Sequence, residues 1–174
     1  MNEIVLPPSP TVLAPERFRD GMALLAGAVT IVTTDGPRGR HGFTASAVCS
    51  VSDAPPTLLV CINRATGAHP HILDHGVLAV NVLNGAQHGL SSGFGSRSKT
   101  MEDRFAGANW RQGATGAPVL EDALVTFDCT IDHTVEAGTH TVVFARVVDV
   151  HLPDDAADGL VWFGRRYNSV PAGD

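Results

Sequence analysis

The sequence predicts a mainly β fold, an antiparallel barrel with a few short helices. Three observations carry that prediction. Short runs rich in β-branched and aromatic residues recur along the chain. Clusters of Gly, Pro, Asp or Asn bound most of them and read as turns. The helical patterns between them are too few to be the crossovers of a parallel sheet. At 174 residues and 44% hydrophobic content, the chain fills one domain and leaves no comfortable room for a second.

The elements follow in order. Residues 1–15 hold Pro7, Pro8, Pro10 and Pro15. Fixed φ and missing donors make this an extended arm ahead of a domain over 16–170, with 171–174 as a tail. After Glu16, Phe18, Met22 and Leu25 recur at helical spacing, which predicts an amphipathic helix stopping near Gly27. AVTIVTT (28–34) is a strand and DGPRGR behind it a turn. GFTASAVCSVS (42–52) reads as one strand, DAPP turns the chain, and TLLVCIN (57–63) brings it back. HPHILDHG is a short helix closed by Gly76, and VLAVNVL (77–83) is the next strand. Residues 86–106 are polar and mixed, with Thr100 and Asp103 spaced as a helix start ahead of Phe105. ALVTFDCTI (123–131), HTVVFARVVDV (140–150) and GLVWFGRRY (159–167) complete the strands.

Composition narrows the function. No apolar run reaches the roughly 18 residues of a membrane span, and MNEIVLPPSP lacks the basic start and apolar centre of a signal peptide, so a soluble cytoplasmic protein is expected. Cys49, Cys61 and Cys129 lie in apolar runs without CxxC spacing, which predicts reduced core thiols in place of a disulfide framework or zinc cage. Twelve basic against eighteen acidic residues, with no basic cluster, leave no footprint for nucleic acid. A small-molecule ligand is the expectation.

Several motifs fail on inspection. GFGSRSKT (93–100) has Ser98 where a phosphate loop needs its last glycine, and no strand precedes it. His71 and His75 share a helix face with no Cys near in sequence, so with His69 they read as surface or cap residues and not as metal ligands. No GxGxxG follows a strand, which removes the usual pyrophosphate site for a dinucleotide.

The hydroxyls of GFTASAVCSVS raise a sharper question. In one unbroken strand Thr44, Ser46, Ser50 and Ser52 would point one way, and Phe43, Ala45, Ala47, Cys49 and Val51 the other. The first set is either the solvent face of a sheet or a low ledge on which a flat heterocycle reaches backbone donors. Spacing alone does not choose between them. Asn63, Arg64, Thr66 and Gly67 at the end of the partner strand form a cluster suited to a phosphate.

GFTASAVCSVSDAPPTLLVCINR resembles the signature of the flavin reductase family, and the likeness continues through AVNVLNGAQHGLSSGF, GAPVLEDALVTFDC, GTHTVVF and GLVWFGRRY, from about Phe18 to Val170. The resemblance implies an FMN-binding split β-barrel of Greek-key antiparallel design. It also implies an NAD(P)H-dependent flavin reductase using FMN or FAD with NADH or NADPH, and a homodimer. Within the family, MEDRFAGANWRQGATGAPVLEDALVTFDC and GLVWFGRRY resemble the NADH-dependent FMN reductases of pyrimidine (uracil) utilisation. Reductases serving aromatic hydroxylation and corrinoid reductases share the same core.

Carried over position by position, the resemblance sets Thr44, Ala45, Ser46 and Ala47 against the isoalloxazine and ribityl chain, with Ser50, Val51 and Ser52 continuing the contact. Asn63, Arg64 and Thr66 fall at the ribityl phosphate end, and Phe94 borders the pocket. His140, the candidate catalytic residue, and Tyr167 match positions near the nicotinamide. The chain departs from the family at Ala145 and Arg146, where a small residue followed by Glu is usual. Hydride transfer between two cofactors needs no protein nucleophile. Reduced FMN would then diffuse to a partner monooxygenase. A flavin-binding module without activity, or a barrel passing electrons to a corrinoid, are the alternatives.

Overall fold

The computed structural model describes residues 13–153 and 157–173, so the arm expected over 1–15 lies almost wholly outside the described residues. In chain order the elements are α1 (Pro15–Met22), β1 (Gly27–Ala28), β2 (Thr30–Thr34), β3 (His41–Ala45), β4 (Val48–Asp53), β5 (Pro56–Asn63), α2 (Ala68–His75), β6 (Val77–Val82), α3 (His88–Gly95), α4 (Met101–Phe105), β7 (Trp110–Gln112), β8 (Pro118–Leu120), β9 (Val125–Ala137), β10 (His140–His151), β11 (Gly159–Phe163) and β12 (Arg166–Val170). Among the described residues no helix is long and apolar enough to cross a membrane.

One antiparallel sheet runs β3-β2-β6-β9-β10-β5-β4. Its two edge strands are consecutive in sequence and joined only by Ser46 and Ala47. Laid flat, seven strands about 4.8 Å apart would hold those edges roughly 29 Å from each other. The three peptide units from Ala45 to Val48 reach about 11 Å at most. The sheet must therefore curl until its edges approach each other, and Phe43 of β3 and Val48 of β4 pack against the same core cluster. Bulges in the β9–β10 ladder at Phe144/Ala145 and Val147/Asp149 add the local twist that a curled sheet needs. The expected mainly β split barrel is the fold observed.

Closure corrects one expectation. GFTASAVCSVS is not one strand but two, broken at Ser46–Ala47, and its halves lie at opposite ends of the strand order. A second break follows in β4. Ser50 faces Leu58 and Ser52 faces Thr57, so Val51 is the extra residue of a bulge. Leu58 and Thr57 are neighbours on β5 whose side chains leave opposite faces. The four hydroxyls therefore do not share a face.

GLVWFGRRY is likewise two strands, β11 and β12, which pair with β1 in a small second sheet. Their two-residue turn, Gly164–Arg165, has φ of 59° and 61°. Both signs fit a type I′ hairpin, which suits Gly or Asn and makes Arg165 a strained choice by about 1–2 kcal/mol.

The barrel interior is filled by Val32, Val60, Ile62, Leu78, Val80 and Val143. A second cluster, with Ile31, Leu83, Phe94, Phe105, Leu120 and Leu160, packs the outside of β2 under α3, α4 and the small sheet. Fully buried Asn81 joins the two layers: its amide N–H groups reach the Ile31 carbonyl (3.0 Å) and Thr33 Oγ1 (3.1 Å), and its oxygen accepts from Leu120 N–H (2.8 Å) and Thr126 Oγ1 (3.1 Å). Every polar valence is met, the condition under which a buried amide is tolerated. The helix expected before Gly76 is α2, closed by that glycine at φ 69°. Thr100 and Asp103 form the expected capping box of α4. Helix α3 was not legible, because HGLSSGFG is poor in helix formers; burial of Ser91, Gly93 and Phe94 holds it instead. Cys129 is a core thiol whose pKa burial and the Asp128 carboxylate push up to about 12. Cys49, expected in the core, is exposed on edge strand β4.

Candidate functional site

A cavity of about 210 Å³ opens where β3 ends, lined by Val29, Thr44, Ala45, Ser46, Ser91, Trp162 and Tyr167. Three elements build it. β3 supplies the floor: Ala45 turns into the barrel core, and Thr44 on the other face donates its hydroxyl to the Ser91 carbonyl at 2.6 Å. α3 supplies one wall, with Ser91 Oγ 3.0 Å from the Tyr167 hydroxyl. The β11–β12 hairpin supplies the other, where Trp162 meets Tyr167 edge-on at 5.0 Å between ring centroids. Among the described residues no acceptor takes the backbone N–H of Ser46 or of Ala47, the two residues of the strand break. The break thus leaves two donors without a partner among the described residues, on two exposed positions at the cavity and its adjoining groove.

A larger groove of about 620 Å³ continues from it, sharing Ser46 and Trp162 and running past Ala47, Val48, Cys49 and Cys61 to Arg19 and Arg165. Small residues on one side and an indole on the other make a slot that admits a flat ring.

The structure divides the candidate residues. Thr44, Ala45, Ser46 and Tyr167 line the cavity, and Ala47 lines the groove. Ser50 and Ser52 line a third, mainly apolar pocket of about 320 Å³ with Phe127, Val147 and Val150, which adjoins the groove at Val48 and Cys49. Val51 is 47% exposed at its bulge and lines none of the three. Phe94 is 1% exposed and packs on Phe105 and Trp110, so it supports β3 from beneath and is not part of the cavity wall. Asn63 and His140 are direct cross-strand partners. Next to them Arg64 is held by Glu136 Oε2 at 2.8 Å and by the Gly138 carbonyl at 2.5 Å, while Thr66 Oγ1 donates to the Asn63 carbonyl. His140 therefore groups with the Asn63–Thr66 cluster, and Tyr167 with the cavity. Arg146 is paired with Asp132 at 2.8 Å on the sheet surface.

Val29, Ser91 and Trp162 were not singled out from sequence. Trp162 lies in GLVWFGRRY and was a legible choice, as an aromatic two residues before the turn; Ser91 and Val29 carry no local signal.

Electrostatics at the outer end of β3 are set by a histidine cluster. His41 lies 4.5 Å from His71 between ring centroids, and His71 lies 5.9 Å from His75. Burial, then His71 and the Arg104 guanidinium, lower the His41 pKa to about 4, so the ring is neutral near pH 7. Burial and His71 lower His75 as well. Arg104 donates to the Phe94 carbonyl at 3.0 Å, to the Ser96 carbonyl and to the Gly42 carbonyl at 3.5 Å, fastening the end of α3 to β3.

Residues 22–171 match the flavin reductase like domain. Over 155 residues the chain is 53% identical to the "FMN reductase (NADH) RutF" of Stutzerimonas stutzeri strain A1501, covering 89% of this chain and 88% of that protein. Among solved structures it is similar to BorF, the flavin reductase component of a bacterial two-component tryptophan halogenase, with TM-score 0.85 and 29% identity over 92% of this chain and 100% of BorF. It is also similar to the NADH:FAD oxidoreductase SgcE6 of Streptomyces globisporus C-1027 in complex with NAD and FAD fragments, with TM-score 0.82 and 27% identity over 91% of this chain and 96% of that one.

Proposed function

The chain belongs to the flavin reductase family, and from that premise we propose that it is an NADH-dependent FMN reductase that hands reduced flavin to a separate monooxygenase. The observation that carries the reading is the strand break at Ser46–Ala47: two N–H donors without a partner among the described residues, beside a small-residue floor, under Trp162 and Tyr167. This donor set fits the carbonyl-rich edge of a flavin ring. Bound flavin supplies the hydride-accepting ring, so no nucleophile is needed from the chain.

The chain's own residues bind, orient and exclude water. The Ser46 and Ala47 N–H groups act as fixed dipoles that favour a ring gaining negative charge, and they need no reorganisation to do so. Trp162 and Tyr167 cover the slot, which keeps water out and strengthens those dipoles. Asn63, Arg64 and Thr66 serve the phosphate end, which requires Arg64 to exchange Glu136 for the ligand. That exchange is cheap, because exposed ion pairs contribute about 0–1 kcal/mol. His140, across from Asn63, is the candidate contact to the nicotinamide dinucleotide.

We carry the partner further as two-component chemistry in pyrimidine utilisation, and the assembly as a homodimer. Val51, Val148 and Val150, each 43–50% exposed, give β4 and β10 an uncovered apolar strip for a second copy. The test is NADH oxidation with excess free FMN, with and without an electron acceptor. Turnover limited by free flavin is the expected result. Binding of FMN without NADH oxidation, or stoichiometric FMN retained through dialysis and reduction, would defeat the reading in favour of a binding module or a bound-flavin electron carrier.

A further inference from the structure

We propose that Arg165 is an anion-binding residue that grips the pyrophosphate of the nicotinamide dinucleotide at the outer end of the groove. The inference rests on the proposed use of that dinucleotide.

The first observation is conformational. Arg165 is the one non-glycine residue with positive φ among the described residues, at 61°, in a turn whose other central residue, Gly164, is at 59°. Either Gly or Asn would suit the position better. A strained residue persists where something other than the local backbone favours it. Folding stability does not supply that reason: the guanidinium's one carboxylate partner is Asp20, and the two side chains are 60% and 68% exposed.

The second observation is placement. The groove that contains Arg165 shares Ser46 and Trp162 with the cavity, so a dinucleotide that reaches the rim of the flavin slot has a continuous path from there to the hairpin. Arg19, from α1, lines the same groove and is held by Glu16 at 2.8 Å. Two guanidiniums from different elements thus line one groove, each paired among the described residues with an exposed carboxylate.

The third is chemical. The sequence has no glycine-rich strand-to-helix turn, so the pyrophosphate cannot sit on a helix N-terminus as in the common dinucleotide site. A planar guanidinium is the alternative donor, because it meets phosphate oxygens bidentately. Arg165 exchanges Asp20 for the ligand, and Asp20 and Glu16 are the acidic groups that oppose the anion.

The experiment is calorimetric titration of the full chain with NADH in the absence of flavin, at low and physiological ionic strength, beside thermal unfolding. Arg165→Gly relieves the turn, so it should unfold at the same or a higher temperature while its NADH dissociation constant rises about five- to tenfold. Asp20→Asn releases the guanidinium and should tighten NADH by about two- to threefold. Added salt should weaken the wild type more than Arg165→Gly. The inference is overturned if Arg165→Gly binds NADH as tightly as the wild type, if it loses FMN affinity instead, or if the wild type binds no NADH. A wild type that binds NADH through Arg165 but reduces no free FMN would defeat the proposed function and leave this inference standing.

Discussion

In the first half of the stretch Gly42–Ser52, Thr44 is half-buried with its hydroxyl fixed 2.6 Å from the Ser91 carbonyl; in the second half Ser50, Val51 and Ser52 are all exposed. The residue types are nearly the same. What differs is the neighbour on the other side. Both are edges of the strand order, but β3 is covered by α3 and the β11–β12 hairpin, whereas β4 carries a bulge and its Ser50–Ser52 stretch is exposed. A row of small hydroxyls becomes a binding floor only where a second layer faces it, and alternation along one strand says nothing about that layer.

The largest expected effect separates the halves by function. Ser46→Trp fills the slot and should lower kcat/KM for FMN by about 100-fold or more, a loss of roughly 2.7 kcal/mol. The same change at Ser52 should cost less than about threefold. Equal losses at both positions would rejoin the halves into one ledge.

Stability gives the next contrast. Thr44→Val removes the donor to the Ser91 carbonyl in a half-buried place and should cost about 1–2 kcal/mol in chemical denaturation. Ser52→Ala should stay within about 0.5 kcal/mol, because Ser52 Oγ accepts only an exposed turn N–H from Ala54 at 3.2 Å.

Acid distinguishes the strands more weakly. The His41 pKa is about 4 when folded against 6.5 for the free ring. The unfolded chain therefore binds the extra proton first, so the contribution is complete above about pH 6.5 and is lost as pH falls toward 4. With allowance for the ring's partial exposure, it amounts to about 1 kcal/mol. His41→Gln should flatten that slope in denaturation curves taken between pH 7 and 4; an unchanged slope would remove His41 as its source. β4 has no histidine and should contribute nothing there.

The smallest effect concerns assembly. Val51→Ser should change the stability of the single chain by less than about 0.5 kcal/mol, since Val51 is 47% exposed. It should raise the monomer–dimer dissociation constant in sedimentation. A wild type that stays monomeric would leave the apolar strip unexplained.

Much of the fold was legible because it rests on short-range rules. Gly76 closes α2 at positive φ, and Thr100 and Asp103 cap α4, as their spacing requires. Of the candidate site, Thr44, Ala45, Ser46 and Tyr167 converge on one cavity. The rest was hidden for a physical reason: Ser91 reaches Thr44 and Tyr167 across 47 and 76 residues, and no local pattern encodes such a contact.

The sequence by itself determined the mainly β class, the turns, the caps and the family, since each depends on local backbone preference or on long shared motifs. Only the tertiary structure decided that Ser46 and Ala47 break a strand. Closing a seven-stranded sheet through a two-residue link is a demand of the whole barrel, and that demand leaves two N–H donors without a partner among the described residues.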